Sequence, residues 1–358
     1  LRAVRTLRAQ LGTMSGLGDL ARFDIDGRLA RKEQEFQDAI LLANNVRLEV
    51  LADDGVVVPG QAVSVTTMVA NRGAAPVAVK QVRYSGFDAP GACTMTEVAS
   101  ANIFGAMGPG GRRGSAPPAR PLSTLGRDQV AQCQPSATVP PGARPTEPYW
   151  HRAGDAGRYT FEADAPFGLP YRPTPFQATL TLDIGAGAGA VEVVRTQPVL
   201  YRYQGNIFSG EKRTELFVVP AASVRVTPEI AIIPAGAPRA AASTSSNARP
   251  AAGGREVRGT VVNDVNGASA SRVSLAVPQG WRVTPPQADV QFTREDESQT
   301  VRFQVLPPAS AAAGEYRIKA RVSAGGAEFS RGYQVIEYPH IRRAHIYRDA
   351  EVVLKVID

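Results

Sequence analysis

The chain has 358 residues, 43% of them hydrophobic, and a formal net charge of +7 with a pI near 9.6. That length exceeds what one core usually serves, so two or three domains are expected, and no apolar run approaches the ~20 residues of a membrane span. The arginines are spread along the chain and answered by an acidic run, "TREDESQ" at 293–299. Without a dense basic stripe interleaved with aromatics, a nucleic-acid partner is not expected.

Residues 1–45 read as a helical hairpin. Leu1, Val4, Leu7 and Leu11 recur at spacings of three and four, one apolar stripe. "GTMSGLGD" interrupts it, and a second helix is expected from about Asp26 to Asn44, with Leu29, Phe36, Ile40 and Leu41 turned inward. A short hairpin of this kind is marginal alone and must dock on something else. The chain opens without a methionine and already in helical rhythm, which reads as a segment of a longer polypeptide.

At Val46 the rhythm changes to period two. "VRLEVLADDGVVVPGQAVSVTTMVANRG" alternates apolar and polar residues between turns at "DDG", "PG" and "NRG". Residues 46–220 are expected to form a first immunoglobulin-like sandwich, with a Gly/Pro-rich insertion or long loop at 88–145. "GAGAGA" at 185–190 lies between two strand patterns, where a hairpin turn fits and a phosphate cradle leading into a helix does not. Residues 221–337 carry the strands of a second sandwich, among them "REVRGTVVNDVNG", "RVSLAVPQGWRV", "QTVRFQVLPP" and "GEYRIKARVSAGG", after an Ala/Ser-rich loop. Residues 338–358 read as a C-terminal tail and strand. Both sandwiches share a plan: an apolar strand, Pro and Gly, then an alternating strand ending in Asn and Gly. The expected class is mainly β: tandem immunoglobulin-like antiparallel β-sandwiches behind a short N-terminal helical hairpin.

Little in the sequence points to chemistry. GxSxG, P-loop, GxGxxG and HExxH motifs are absent. The two cysteines, Cys93 and Cys133, cannot build a structural zinc knot, but both lie in the 88–145 insertion and would form one disulfide in an oxidising compartment. His340 and His345 are five apart, which suits neither a helical zinc pair nor one face of a strand, so they read as an ordinary edge segment. His151 lies near Asp155 in "YWHRAGD", a structural pair by expectation. The most site-like stretch is 145–176, "PTEPYWHRAGDAGRYTFEADAPFGLPYRPTPF", where Tyr149, Trp150, Arg152 and Tyr159 are the candidate ligand-binding residues. The competing reading is a loop that folds its own rings into the rim of the sandwich. No catalytic or metal-ligating residue is expected.

"YTFEADAPFGLPYRPTPFQATLTLDI", "YRYQGNIFSGEKRTELFVVPAASVRVTPEIAIIPAG" and "GYQVIEYPHIRRAHIYRDAEVVLKVID" resemble the C-terminal half of large bacterial PIG-L (LmbE-like) deacetylases. Residues 222–337 are similar to the NPCBM-associated module that also follows alpha-galactosidase domains. The resemblance implies a secreted or periplasmic parent whose N-terminal domain is a zinc-dependent N-acetyl-sugar deacetylase. The AHPDDE-type zinc motif of that family has no counterpart in this chain, so no catalytic residue carries over, and zinc is expected only in that other domain. The implied partners are that catalytic domain of the same polypeptide and a glycan or cell-surface component. The implied role is a non-catalytic accessory region in an extracytoplasmic setting. The alternatives are a trimmed piece of an active deacetylase and a structural surface protein of Ig-like modules.

Overall fold

The structure is a computed structural model that describes residues 1–98, 120–153, 157–205, 208, 210–234, 254–338 and 340–357. The chain is mainly β and divides into two compact units. Unit 1 comprises Leu1–Gly55, Ala62–Pro140 and Thr174–Leu216; unit 2 comprises Val56–Gln61, Pro141–Pro173 and Phe217–Asp358. The units therefore interleave, where the sequence predicts a single boundary at 220/221. The cause is local pairing. Val56–Val57 runs parallel to Phe217–Val218, and the Thr146 amide donates to the Val218 carbonyl at 2.8 Å, so both excursions belong with the second unit.

In unit 1, helices α1 (Arg2–Leu11) and α2 (Asp19–Ala43) form the expected hairpin. Arg5 and Arg8 converge on Glu33 at 2.8 and 2.7 Å, and Arg8 also reaches Asp26 at 3.0 Å. Hydrogen bonds from Arg5 and then Arg8 hold the Glu33 carboxyl below its ordinary range. The second helix starts at Asp19 rather than Asp26, because Gly18 is extended at the N-cap and Asp19 places a carboxylate in the first turn, where the helix dipole favours it. Leu7 and Phe36, expected inside, are 52% and 46% exposed. The docking face uses Leu11, Leu41 and the buried Gln37, whose side-chain oxygen accepts from the Val194 amide, while Arg2 donates to the Ala190 carbonyl at 2.9 Å.

Two sheets make the unit 1 sandwich. The larger runs in the order 211–215, 200–204, 46–52, 62–71, 130–133, 96–97, with 136–138 also on 62–71; the other runs 191–198, 177–184, 77–85, 124–125. Alternation decides their inward faces: in Gln177–Ile184 every second residue is buried, Ala178, Leu180, Leu182 and Ile184. Tyr84 on the smaller sheet meets Thr67 on the larger at 2.7 Å, hydroxyl to hydroxyl. The expected loop at 88–145 is in part sheet, since Thr96–Glu97, Thr124–Leu125, Val130–Cys133 and Ser136–Thr138 are strands. Residues 99–119 of that stretch lie outside the described residues. Cys93 and Cys133 are joined by a disulfide with Cα atoms 5.3 Å apart.

Unit 2 holds a second sandwich. One sheet runs 222–227, 255–263, 298–306, 282–284; the other runs 230–234, 351–357, 314–324, 269–276, 287–292, with 327–329 on 314–324. Val224, Val257, Val261, Phe303 and Val305 meet Val273, Ile318, Val322, Val352 and Leu354 in a common core. The predicted C-terminal tail is thus partly core: Glu351–Ile357 lies between Ile230–Pro234 and Gly314–Ala324, with Val352, Leu354 and Val356 alternating inward. Two further hairpins belong to this unit, Trp150–Ala153 with Arg158–Phe161 and Arg331–Ile336 with Ala344–Asp349. Among the described residues no helix is long and apolar enough to cross a membrane.

Candidate functional site

The aromatic stretch 145–176 folds around the first of these hairpins. Phe161 pairs with Trp150 and Tyr159 with Arg152, so strand alternation puts all four on one face. Three of the four candidate residues, Trp150, Arg152 and Tyr159, are therefore neighbours. The fourth, Tyr149, precedes the strand. Its ring meets Trp150 edge-on at 5.1 Å and lies 6.0 Å from Phe161, and its hydroxyl donates to the Leu169 carbonyl at 2.6 Å. Tyr171 continues the surface 6.3 Å from Trp150, and the Arg342 guanidinium sits 5.1 Å over the Tyr171 ring. Tyr159 and Phe161 are 56% and 66% exposed, while Tyr149 and Trp150 are half-buried.

The base of the hairpin is braced by charge. Glu162 receives Arg172 at 2.8 Å, Arg144 at 2.5 Å and His151 at 3.0 Å; Asp164 receives Arg172 at 3.0 Å and Arg144 at 3.2 Å. Burial acts to raise the Glu162 pKa, but His151, Arg144 and Arg172 outweigh it and hold the carboxyl below its ordinary range. His151 thus uses Glu162, and Asp155 lies outside the described residues. Rigid rings on a braced hairpin, flanked by arginines, suit stacking on an apolar sugar face or on a protein side chain with polar contacts at the rim. Trp150 packs against Tyr149 and Tyr171 and is the cross-strand partner of Phe161. Trp150→Ala is expected to cost roughly half of the 3–5 kcal/mol of a fully buried tryptophan, measured by chemical unfolding; an unchanged midpoint would show that the ring carries no load.

The C-terminal histidines part company. His340 lies in an exposed turn, not on the strand, so the expected opposite-face arrangement does not apply. His345 is inside Ala344–Asp349 and only 1% exposed, which corrects the reading of an ordinary edge segment. Its ring lies 4.6 Å from Phe217 and 4.9 Å from Tyr333, and neither ring nitrogen has a hydrogen-bond partner among the described residues. Burial, with a smaller contribution from Arg343, lowers its pKa to about 4. Beside it the Tyr333 hydroxyl donates to Asp264 Oδ1 at 2.7 Å, and burial raises Asp264 to about 6. Arg331 grips Glu147 at 2.8 Å and lies 4.9 Å over the Tyr347 ring. Gly332 permits this closeness, since a Cβ there would stand 2.5 Å from the Val224 carbonyl oxygen. Sequence reasoning missed Asp264, Tyr333 and Tyr347. The alternation in "AHIYRD" does put His345 and Tyr347 on one face, but nothing local shows that this face is buried.

Among the described residues no three His, Cys, Asp or Glu side chains come together as a metal site. The three histidines are separately engaged: His151 on Glu162, His340 beside the Tyr338 ring at 6.0 Å, and His345 between Phe217 and Tyr333.

A family described as "NPCBM-associated, NEW3 domain of alpha-galactosidase" matches residues 251–325, which lie in the unit 2 sandwich. No curated protein sequence matches the chain. Among solved structures, the native conformation of E. coli alpha-2-macroglobulin is similar at 9% identity and a TM-score of 0.25, over 87% of this chain and 17% of that one. Salmonella alpha-2-macroglobulin reacted with methylamine is similar at 11% identity and a TM-score of 0.25, over 87% of this chain and 16% of that one. The apo form of the Calx CBD1 domain aligns at 10% identity and a TM-score of 0.21, over 38% of this chain and 98% of that domain.

Proposed function

We propose that the chain is a non-catalytic accessory β-sandwich region that holds a larger enzyme against a glycan, with the Trp150–Phe161 hairpin as the contact surface. The observation that carries this reading is the exposure of Tyr159 and Phe161 on the same face as Trp150 and Arg152. Large rings left in water on a braced support are a feature of binding surfaces. The match of residues 251–325 to a module associated with alpha-galactosidase supports a glycan setting. The parent we favour is a PIG-L-type N-acetyl-sugar deacetylase, on the resemblance of the three long stretches quoted above, with its zinc in another domain of the same polypeptide. The Cys93–Cys133 disulfide supports an extracytoplasmic location.

The test is binding to N-acetylglucosamine oligosaccharides by titration calorimetry. The Tyr159→Ala/Phe161→Ala double variant is expected to bind at least about tenfold more weakly, given about 0.5–1.5 kcal/mol per aromatic contact beyond area burial. Its melting temperature should stay within a few degrees of the parent, because both rings are largely in water. Equal affinity in the double variant would remove the hairpin from the binding surface. Sequencing the gene upstream of Leu1 tests the parentage: a domain without the AHPDDE-type motif sinks the deacetylase assignment.

A further inference from the structure

The unit 2 sandwich presents a second surface, on the outward face of the sheet 222–227, 255–263, 298–306, 282–284. Its inward residues, Val257, Val261, Phe303 and Val305, are core. Its outward residues form rows across the strands. One row is Thr227, Arg258 and Arg302; the next is Arg225, Thr260 and Thr300; on the other side come Glu256, Gln304 and Thr284, and then Leu306 with Arg282. Four arginines thus share this face with one carboxylate, Glu256, which Arg258 engages at 2.6 Å; Arg225 donates to the Tyr333 carbonyl at 2.7 Å, which leaves Arg302 and Arg282.

The central pair is only half compensated: Glu256 answers Arg258, and no carboxylate answers Arg302 among the described residues. Arg258 and Arg302 are direct cross-strand partners, and like charges at that position, with Cβ atoms about 5 Å apart, destabilise a sheet. Arg302 has no ion pair among the described residues, and both arginines are exposed. The carboxylates Glu295, Asp296 and Glu297 are not neighbours of Arg302, because the nearest precedes it by five residues, roughly 16 Å at 3.3 Å per residue along the strand. Around the pair the outward rows are rich in hydroxyl groups. Thr260 and Thr300 meet at 2.9 Å, and Thr227, Thr284 and Thr300 are exposed.

We infer that this sheet face, centred on Arg258 and Arg302, binds an acidic polysaccharide bearing carboxylates along its length. A ligand carboxylate at Arg302 would supply the counter-charge that Glu256 gives Arg258, and would accept bidentate hydrogen bonds. The neighbouring hydroxyls of Thr227, Thr284 and Thr300 match a polyol in both donors and acceptors. The outward rows named above contain no aromatic ring on which bases would stack, so the face favours a glycan over single-stranded nucleic acid. This surface is separate from the aromatic hairpin and does not depend on that reading.

The experiment is affinity electrophoresis of the full chain in gels containing polygalacturonate, with dextran and duplex DNA as comparisons. Polygalacturonate should retard the chain, dextran should not, and the retardation should shrink as salt rises. Arg302→Ala should weaken binding about tenfold, and Arg258→Ala similarly. Arg302→Ala should also melt at the same or a higher temperature, because it removes a like-charge contact. The Tyr159→Ala/Phe161→Ala variant should be retarded like the parent. The proposal falls if polygalacturonate leaves the mobility unchanged at low salt, if Arg302→Ala binds as the parent does, or if dextran or duplex DNA retards the chain more than polygalacturonate.

Discussion

Reducing the Cys93–Cys133 disulfide is expected to destabilise unit 1 by roughly 3–4 kcal/mol on the chain-entropy model. The bond spans a sequence separation of 40 residues and ties the segment before Thr96 to the strand Val130–Cys133. Without it, that long loop regains its freedom in the unfolded state, while among the described residues the loop is held by short pairings, Thr96–Glu97 on Val130–Cys133, Thr124–Leu125 on Val77–Ser85 and Val130–Cys133 on Thr67–Ala70. Both tryptophans, Trp150 and Trp281, lie in unit 2, so their fluorescence is the wrong probe for this change. Calorimetry or far-UV circular dichroism of the Cys93→Ser/Cys133→Ser variant reads it instead. The unreduced, denatured protein should show no titratable thiol. Two thiols, or a variant that unfolds at the parent's denaturant midpoint, would refute it.

The second large effect is a pH dependence that the parent conceals. The folded pKa of Asp264 is raised from 3.8 to about 6, so its contribution to stability is full below about pH 3.8 and is lost as pH rises through 6. His345 is lowered from 6.5 to about 4, so its contribution is full above about pH 6.5 and is lost as pH falls through 4. At about 1.4 kcal/mol per pH unit each is worth about 3 kcal/mol, and the two nearly cancel between pH 7.5 and 4. Asp264 faces Tyr333, Ser223, Asp296 and Arg225, and His345 faces Arg343, Phe217 and Tyr333. Single substitutions separate them. Asp264→Asn should be more stable than the parent at pH 7.5, with that advantage shrinking by about 2–3 kcal/mol on going to pH 4. His345→Phe should gain about 3 kcal/mol on the parent over the same change. Urea unfolding followed by tryptophan fluorescence reports unit 2 directly. Curves that run parallel to the parent's across this range would show that neither group titrates as its burial requires.

Much of the fold is legible in the residues taken in order. Period-two alternation in "QATLTLDI" leaves one apolar face that has to be covered, which is already the statement of a sandwich. A chain with only two cysteines allows only one intramolecular pairing, so that choice needed no structure. On the aromatic hairpin, residue type marked Trp150, Arg152 and Tyr159, and the alternation of its two short strands decided that they share a face.

The tertiary structure alone decided what depends on partners distant in sequence. The interleaving of the units rests on Val56–Val57 meeting Phe217–Val218, some 160 residues away, through two-residue strands too short to leave a pattern. Leu7 and Phe36 fit an apolar stripe but face water, because the docked face of the hairpin satisfies the sheet's amide and carbonyl groups through Gln37 and Arg2. His345 and Asp264 look like surface residues in sequence. Their burial follows from a hairpin laid against the sandwich at Gly332, and with it come the missing partners and the displaced pKa values. The same holds for Arg258 and Arg302, 44 positions apart, whose opposition is a consequence of strand register alone.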